Sequence, residues 1–240
     1  MTANLDEPVA AAPVLAEVIA RLAECDTAAV SDALDSLGVP GVLAGIAARV
    51  PGVRACGTAF TVTYRPVSDD GPPFRNAANY LDDVPAGSVV VVDNGGSTCC
   101  TNWGSLLTAV ALARGVRGTI LHGSARDVGE IRAAGYPLFS TGVTMVSGKN
   151  RVELDAVGRV IDVHGIAVRP GDVVLADDNG ALVVPAELAE EVLRRATRVD
   201  ATERNIAAAV RNGQRLDQAR KLFGYSTPWQ DTPPTGTPDD

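Results

Sequence analysis

The fold is decided by residues 88–123, SVVVVDNGGSTCCTNWGSLLTAVALARGVRGTILHG. The apolar run SVVVVD predicts a strand that ends at Asp93, residues 104–114 have the spacing of a helix, and GTILHG predicts a second strand. Continuous apolar strands joined through a helix are typical of parallel strands covered on both faces. This segment therefore predicts a central parallel βαβ unit.

The sequence on either side extends this α/β pattern. Residues 124–143 predict a loop, a short helix and a further strand. Residues 151–185 predict short strands punctuated by hairpin turns, so the C-terminal half is expected to be mostly antiparallel. We expect a single domain over residues 1–224, because 240 residues suffice for one core. The segment 225–240 is rich in Thr, Pro and Asp, which favours a disordered tail.

Composition argues against several functional classes. The formal charge is −8 without a Lys/Arg run, so nucleic acid is not an expected ligand. No window approaches the roughly 20 apolar residues that a membrane helix needs. Without a basic, apolar leader at the N-terminus, a cytoplasmic location is the default expectation. The four cysteines form no CxxC pair, and the two histidines lack the spacing of a helical ligand pair.

Candidate site residues follow the ends of the two central strands, where open α/β sheets bind ligands. Arg126 and Asp127 come directly after GTILHGSA, and they place a cation beside a hard oxygen donor suited to Mg²⁺ or Mn²⁺. The start of the crossover helix offers backbone N–H groups to a substrate carboxylate. The residues concerned are Gly104, Ser105, Leu106 and Leu107. Alternatively, Asp127 simply caps its own helix, VGEIRAAG, and Arg126 makes a surface ion pair.

Lysine usage bears on whether the candidate site could activate a carbonyl group through a lysine Schiff base or through a metal ion. The chain contains only Lys149 and Lys221, in a polar loop and near the C-terminus. Neither is predicted to lie in the apolar pocket that would lower the pKa of an amine. The sequence therefore favours a metal ion over a lysine Schiff base.

Longer motifs carry a family resemblance. The segments WGSLLTAVALARGVRGTILHGSARDVGEIRAAGYPLFSTGVT and VRPGDVVLADDNGALVVP have, in order and spacing, the pattern of one family. The combination includes a G-x-L-L helix start, a G-x-x-R-D strand end and a P-G-D…A-D-D-x-G hairpin. The chain resembles, over residues 26–203, the RraA-like and 4-hydroxy-4-methyl-2-oxoglutarate aldolase family.

The resemblance implies a β/β/α swivelling-type fold, a homotrimer or homohexamer, and a divalent cation at a subunit interface. The implied activity is cleavage of 4-hydroxy-4-methyl-2-oxoglutarate, or a related 4-hydroxy-2-oxo acid, to pyruvate, with oxaloacetate decarboxylation as a side activity. Asp127 would be the metal ligand, residues 104–107 would bind the pyruvyl carboxylate, and Arg126 would stabilise the enolate. Asp32 and Glu203 would hold metal-bound waters from a neighbouring subunit, although solvated helix faces account for most such residues.

Ser105 departs from the family pattern, since the aldolases usually carry Asp or Glu at this position. Three interpretations stay open: the substrate differs, another acid such as Asp93 substitutes, or catalysis has been lost. The last would make the chain a non-catalytic RraA-like regulator that binds ribonuclease E or another protein. A methyltransferase is disfavoured, because no Gly-rich cofactor loop precedes an acidic strand end.

Overall fold

A computed structural model describes residues 13–67 and 78–230 of the chain. Its strands are β1 (Ala47–Ala48), β2 (Ala55–Pro66), β3 (Ser88–Asp93), β4 (Thr101–Trp103), β5 (Gly118–Ala125), β6 (Leu138–Val143), β7 (Val152–Val157), β8 (Ile161–Val163), β9 (Ile166–Val168), β10 (Val173–Asp177) and β11 (Gly180–Val184). Its α-helices are α1 (Pro13–Leu22), α2 (Thr27–Asp35), α3 (Ser105–Ala113), α4 (Val128–Ala133), α5 (Ala189–Arg211) and α6 (Leu216–Leu222). Short 3₁₀ helices span Asn79–Asp83 and Ala186–Leu188.

The main sheet is mixed, with a parallel centre and antiparallel flanks. Its strand order is β1-β6-β5-β3-β2-β10-β11. The pairs β2–β3, β3–β5 and β5–β6 are parallel, whereas β10 runs antiparallel to both β2 and β11. The predicted βαβ unit is therefore confirmed as β3, α3 and β5, and so is the antiparallel C-terminal half.

A short N-terminal segment brings the two ends of this sheet close to closure. Val42 forms an isolated antiparallel bridge with Leu182 of β11, and five residues later β1 pairs with β6. Gly41 permits this course, because a Cβ there would collide with the carbonyl oxygen of Val183. The chain thus has an α/β fold around a nearly closed mixed sheet.

The core lies on both faces of the sheet. Alternate residues of β3 point in opposite directions, as strand geometry requires. Val90 and Val92 pack on the side of α3 and α4, whereas Val89 and Val91 face the interior together with the β8–β9 hairpin. A third group of apolar side chains joins α1, α2 and α5 to β10 and β11. Full burial of each valine contributes about 1.5 kcal/mol or more.

The C-terminal segment continues beyond the predicted domain end. Residues 225–230 form a turn in which Trp229 packs against the helical core, and the Arg198 guanidinium donates to the Trp229 carbonyl (2.9 Å). Residues 231–240 of the predicted tail lie outside the described residues, so this boundary remains a prediction. None of the helices in the described part of the chain has the length and apolar character needed to cross a bilayer.

Candidate active site

The candidate site lies where β5 extends beyond the end of the neighbouring strand β3. His122 is the partner of Asp93, the last residue of β3, and β5 continues to Ala125 alongside β4. The Arg126 backbone N–H then donates to the Trp103 carbonyl (3.0 Å), just before α3 begins. This hydrogen bond places Arg126 and Asp127 beside the first turn of α3.

Asp127 has a left-handed backbone, with φ 56° and ψ 31°. For a residue other than glycine, this conformation costs about 1–2 kcal/mol. Asp127 stands at the N-cap position of α4, yet its side chain makes no capping hydrogen bond there. Its Oδ2 instead accepts from the backbone N–H of Ser105 (3.1 Å) and from the Ser105 hydroxyl (3.3 Å). The carboxylate therefore caps α3, and the simple alternative that it closes its own helix does not describe the structure.

Arg126 completes the contacts of this carboxylate. Its Nε lies 3.3 Å from Oδ2 of Asp127, and the two side chains are 43% and 30% exposed. All the contacts of Asp127 in the described residues involve Oδ2, so Oδ1 has no protein partner there. The partly exposed carboxylate of Asp127, beside the Arg126 cation, is therefore open to a ligand from solvent.

Gly104 is required by the close approach of these groups. A Cβ built on Gly104 would lie 2.7 Å from Asp127 Oδ2 and 3.3 Å from Arg126 Cγ and Nε. The backbone at Gly104 is extended, with φ −156°, so conformational freedom is not the reason for glycine. Any side chain at this position would push the carboxylate away from the start of α3.

The first turn of α3 presents two further donors. The N–H groups of Leu106 and Leu107 have no acceptor within the chain segments that the structure describes. Such groups carry the positive end of the helix dipole and attract anions. The Leu106 side chain is 77% exposed, so this end of the helix is open to solvent. The predicted substrate-binding residues and Arg126–Asp127 thus meet at one edge of the sheet.

Asp93, the acid proposed to substitute for the one missing at position 105, has other partners. Its Oδ1 accepts from the Gly95 N–H (2.8 Å) and lies 2.8 Å from Nδ1 of His122. The His122 ring meets the ring of His164 edge to face, at 4.4 Å between centroids. No contact among the described residues joins Asp93 to Ser105 or Asp127, so this interpretation gains no support.

Asp32 and Glu203 come together with each other but not with Asp127. Both line a cleft of about 410 Å³ between α2 and α5, which the segment containing Tyr225 and Trp229 also borders. Burial, and secondarily the nearby Asp35, raises the pKa of Asp32. These helices pack on β10 and β11, whereas α3 and α4 cover β3 and β5. Within one chain, the two acids are therefore remote from the Arg126–Asp127 edge.

The family can be assigned by comparison with known proteins. The family model RraA-like, described as Aldolase/RraA, matches residues 27–183. The chain belongs to the RraA-like family. This match covers both candidate strand ends and the antiparallel hairpin of β10 and β11, and it confirms the resemblance seen in the motifs.

Relatives of this RraA-like chain carry different names. It is 42% identical to protein DlpA of Legionella pneumophila over 212 residues, which cover 88% of the chain and 34% of DlpA. The chain thus spans about a third of the length of DlpA. It is 33% identical to the 4-hydroxy-4-methyl-2-oxoglutarate aldolase of Thermus thermophilus over 109 residues, or 44% of the chain and 63% of that enzyme.

Solved structures share the fold. An uncharacterized protein from Pseudomonas syringae pv. tomato superposes with a TM-score of 0.80 at 47% identity, covering 85% of the chain and 97% of that protein. RraAS2 of Streptomyces coelicolor, described as an unusual member of the RNase ES inhibitor RraA family, superposes with a TM-score of 0.71 at 29% identity. That superposition covers 78% of the chain and 94% of RraAS2.

Sequence reasoning missed the pairing of Asp93 with His122, because each was judged separately. The signal was available, since parallel strands that end in polar residues bring those residues to one edge. Several buried polar atoms nearby have no hydrogen-bond partner among the described residues. They are Asn94 Nδ2, Asn102 Nδ2 and Oδ1, Ser124 Oγ and Thr141 Oγ1. These atoms mark a polar interior that the apolar strand patterns did not reveal.

Proposed function

We propose that this chain is a divalent-metal-dependent class II pyruvate aldolase. It would cleave 4-hydroxy-4-methyl-2-oxoglutarate or a related 4-hydroxy-2-oxo acid to pyruvate, and decarboxylate oxaloacetate as a side activity. One observation carries the proposal: the Asp127 carboxylate is turned away from its own helix toward Arg126 and the start of α3. The strained backbone at Asp127 supports it, because such conformations cluster at functional sites.

The single carboxylate at this edge of the sheet, that of Asp127, suits a hard cation that binds few protein ligands. Across residues 13–67 and 78–230, no three His, Cys, Asp or Glu side chains form a metal cluster. Mg²⁺ commonly uses one or two carboxylates and fills its other positions with water and substrate oxygens. Oδ1 of Asp127 would supply one such ligand, while Oδ2 contacts Ser105 and Arg126. The bound cation would act as a Lewis acid on the 2-oxo group.

The protein groups have separate tasks in this scheme. The Leu106 and Leu107 N–H groups hold the substrate carboxylate. The Arg126 guanidinium contacts the keto oxygen and offsets the negative charge that develops as the carbon–carbon bond breaks. Lys149 and Lys221 are both exposed, so neither lies in an apolar pocket that would support Schiff-base chemistry.

Asp32 and Glu203 would take part in the site only if a neighbouring copy of the chain contributed them. The Arg126–Asp127 edge is half exposed, and Ser105 leaves it one carboxylate short of the family pattern. In a homotrimer or homohexamer, Asp32 and Glu203 of a neighbouring copy would supply the water-mediated contacts that one chain lacks. Outer contacts of this kind typically contribute 10–100-fold in metal affinity or activity.

Pyruvate release tests the proposal directly. Wild-type protein is assayed with 4-hydroxy-4-methyl-2-oxoglutarate and with oxaloacetate, with Mg²⁺ or Mn²⁺ and with EDTA. Asp127→Asn removes the ligand charge while keeping a side chain that tolerates the left-handed backbone. Glu130→Gln on the exposed side of α4 is the matched control. We expect metal-dependent turnover in the wild type and the control, and loss of at least a hundredfold in Asp127→Asn. Full metal-dependent turnover in Asp127→Asn would contradict the mechanism.

A regulatory role is the second candidate, favoured by apolar side chains at the same edge. Val143 and Met145 are 53% and 89% exposed, in the segment where Val143 pairs with Ala125 at the end of β5. Exposed apolar groups of this size suit a protein partner. Metal-independent inactivity on both substrates, together with saturable binding to a ribonuclease E fragment, would favour this role over the aldolase.

A further inference from the structure

Two arginines meet at the end of the sheet opposite the candidate active site. Arg54 directly precedes β2, and Arg117 directly precedes β5. Arg126 follows the other end of β5, nine residues after Arg117, which corresponds to about 30 Å of strand. The two arginines therefore belong to a separate surface, with no part in the proposed aldolase chemistry.

Both side chains line one cavity of about 200 Å³. Cys56 lies at its wall, and the remaining lining residues are alanines and one leucine. Among the residues that the structure describes, no carboxylate lines this cavity, although the whole chain carries a formal charge of −8. Two guanidinium groups thus share a small cavity whose other walls are uncharged.

The guanidinium groups of Arg54 and Arg117 have different contacts. Arg54 donates to the carbonyl of Cys25, which holds its guanidinium beside the cavity. Burial raises the pKa of Asp200 on α5, and the nearby Arg54 charge partly opposes that rise. The exposed Arg117 side chain has no hydrogen bond or ion pair to any described residue, although its backbone N–H donates to the Ser88 carbonyl (2.8 Å). An anion in the cavity would give the Arg117 guanidinium a partner.

The Cys56 thiol lies close enough to both guanidinium groups for each to influence its pKa. Burial raises the pKa of Cys56 to about 12, and the charges of Arg117 and Arg54 oppose that rise. The thiol is therefore neutral at physiological pH, and it is directed to the Ile19 carbonyl (3.5 Å). A neutral thiol does not repel an anion placed between the arginines.

We propose that Arg54 and Arg117 form a binding site for a phosphate group, either free or on a small metabolite. Planar guanidinium groups match the oxygens of phosphate and bind them through charge-assisted hydrogen bonds. The cavity is smaller than the roughly 300–1,000 Å³ of sites for drug-sized ligands, so a nucleotide would not fit inside it. The site is independent of the metal site, because it uses none of the residues around Asp127.

Isothermal titration calorimetry of the whole chain tests this site, with inorganic phosphate and glycerol 3-phosphate as separate arms. Sodium acetate and sodium chloride at matched ionic strength are the reference anions. We expect saturable binding of one phosphate group per chain, and a loss of tenfold or more in affinity in both Arg54→Gln and Arg117→Gln. Tighter binding of glycerol 3-phosphate than of phosphate would identify a phosphorylated metabolite as the ligand, and the reverse would identify free phosphate.

Arg114→Gln is the matched control, because Arg114 is exposed near the same loop and pairs with Asp82 (2.8 Å) instead of facing the cavity. It should bind phosphate like the wild type. Circular dichroism melts confirm that each variant is folded before titration. Equal affinity in wild type and Arg117→Gln, or displacement of phosphate by chloride at matched ionic strength, would overturn the proposal.

Discussion

Replacing Gly104 by alanine tests how closely the proposed site depends on the contact between α3 and Asp127. The new Cβ would lie 2.7 Å from Asp127 Oδ2, whereas ordinary contacts begin at 3.4 Å. The carboxylate must therefore move away by about 0.7 Å. A displacement of about 1 Å at an active site can lower the rate about 100-fold. We expect kcat/KM for pyruvate release to fall by about 10- to 100-fold in Gly104→Ala.

The fold should tolerate this change, which separates a site effect from unfolding. The backbone at Gly104 is extended, so alanine adopts it without strain. Gly→Ala replacement at a compatible position stabilises by about 0.4–1 kcal/mol, and 1 kcal/mol shifts Tm by about 2–4 °C in a chain of this size. Any crowding of Asp127 would offset that gain, so Tm should stay within a few degrees of the wild type.

Gly129→Ala provides the matched control. Gly129 lies in α4, two residues from Asp127, and a Cβ there would meet no atom within 4 Å. This variant should keep wild-type kcat/KM and Mg²⁺ dependence. If Gly104→Ala also kept wild-type kcat/KM, the idea that the Asp127 carboxylate must sit at the start of α3 would be refuted.

Three further predictions concern the site and the stability of the fold. Ser105→Asp places a second carboxylate beside Asp127, so we expect a lower Tm in EDTA, where the two charges repel, and a higher Tm with Mg²⁺. The Mg²⁺ concentration for half-maximal turnover should fall about tenfold. An unchanged response to Mg²⁺ would contradict this. Mixed oligomers of Asp127→Asn and Glu203→Gln should release pyruvate faster than either variant alone, because one site in the mixture would combine intact residues from two copies. No increase after subunit exchange would place Glu203 outside the site. Asp172 accepts hydrogen bonds from two backbone N–H groups and is buried, so Asp172→Asn should lose about 1–3 kcal/mol of unfolding free energy at pH 7. Burial raises the pKa of Asp172 in the folded state, so the wild type should gain stability relative to Asp172→Asn as pH falls through that pKa, as measured by urea unfolding at several pH values.

The parts of the fold that depend on local pattern could be predicted from the sequence. The run of valines in β3 and the apolar strand β5 marked the parallel centre, because both faces of these strands are buried. The Asp178–Gly180 turn marked the hairpin of β10 and β11. The near closure of the sheet could not be predicted, since it depends on a single bridge between Val42 and Leu182, which lie 140 residues apart.

The sequence indicated which residues meet at the candidate site but not their geometry, and their functional roles stay predictions. Arg126 and Asp127 were identifiable because polar residues at a parallel strand end face the ligand-binding crevice. The local sequence predicted that Asp127 would cap α4, whereas in the structure its carboxylate accepts a hydrogen bond from the Ser105 N–H at the start of α3. That choice depends on the distance between two helix starts, which no sequence window contains. The cleft shared by Asp32 and Glu203 likewise arises only when α2 and α5 pack together.

The near closure of the sheet also limits how copies of this protein can associate. The segment that includes Val42 and β1 occupies main-chain hydrogen-bonding positions on β11 and β6, the strands at or next to the two margins. Open margins are what let sheets of different molecules join by strand addition and grow into fibres. At the positions that this segment occupies, a second copy cannot add a strand to β11 or β6, so contacts between copies there form through side chains.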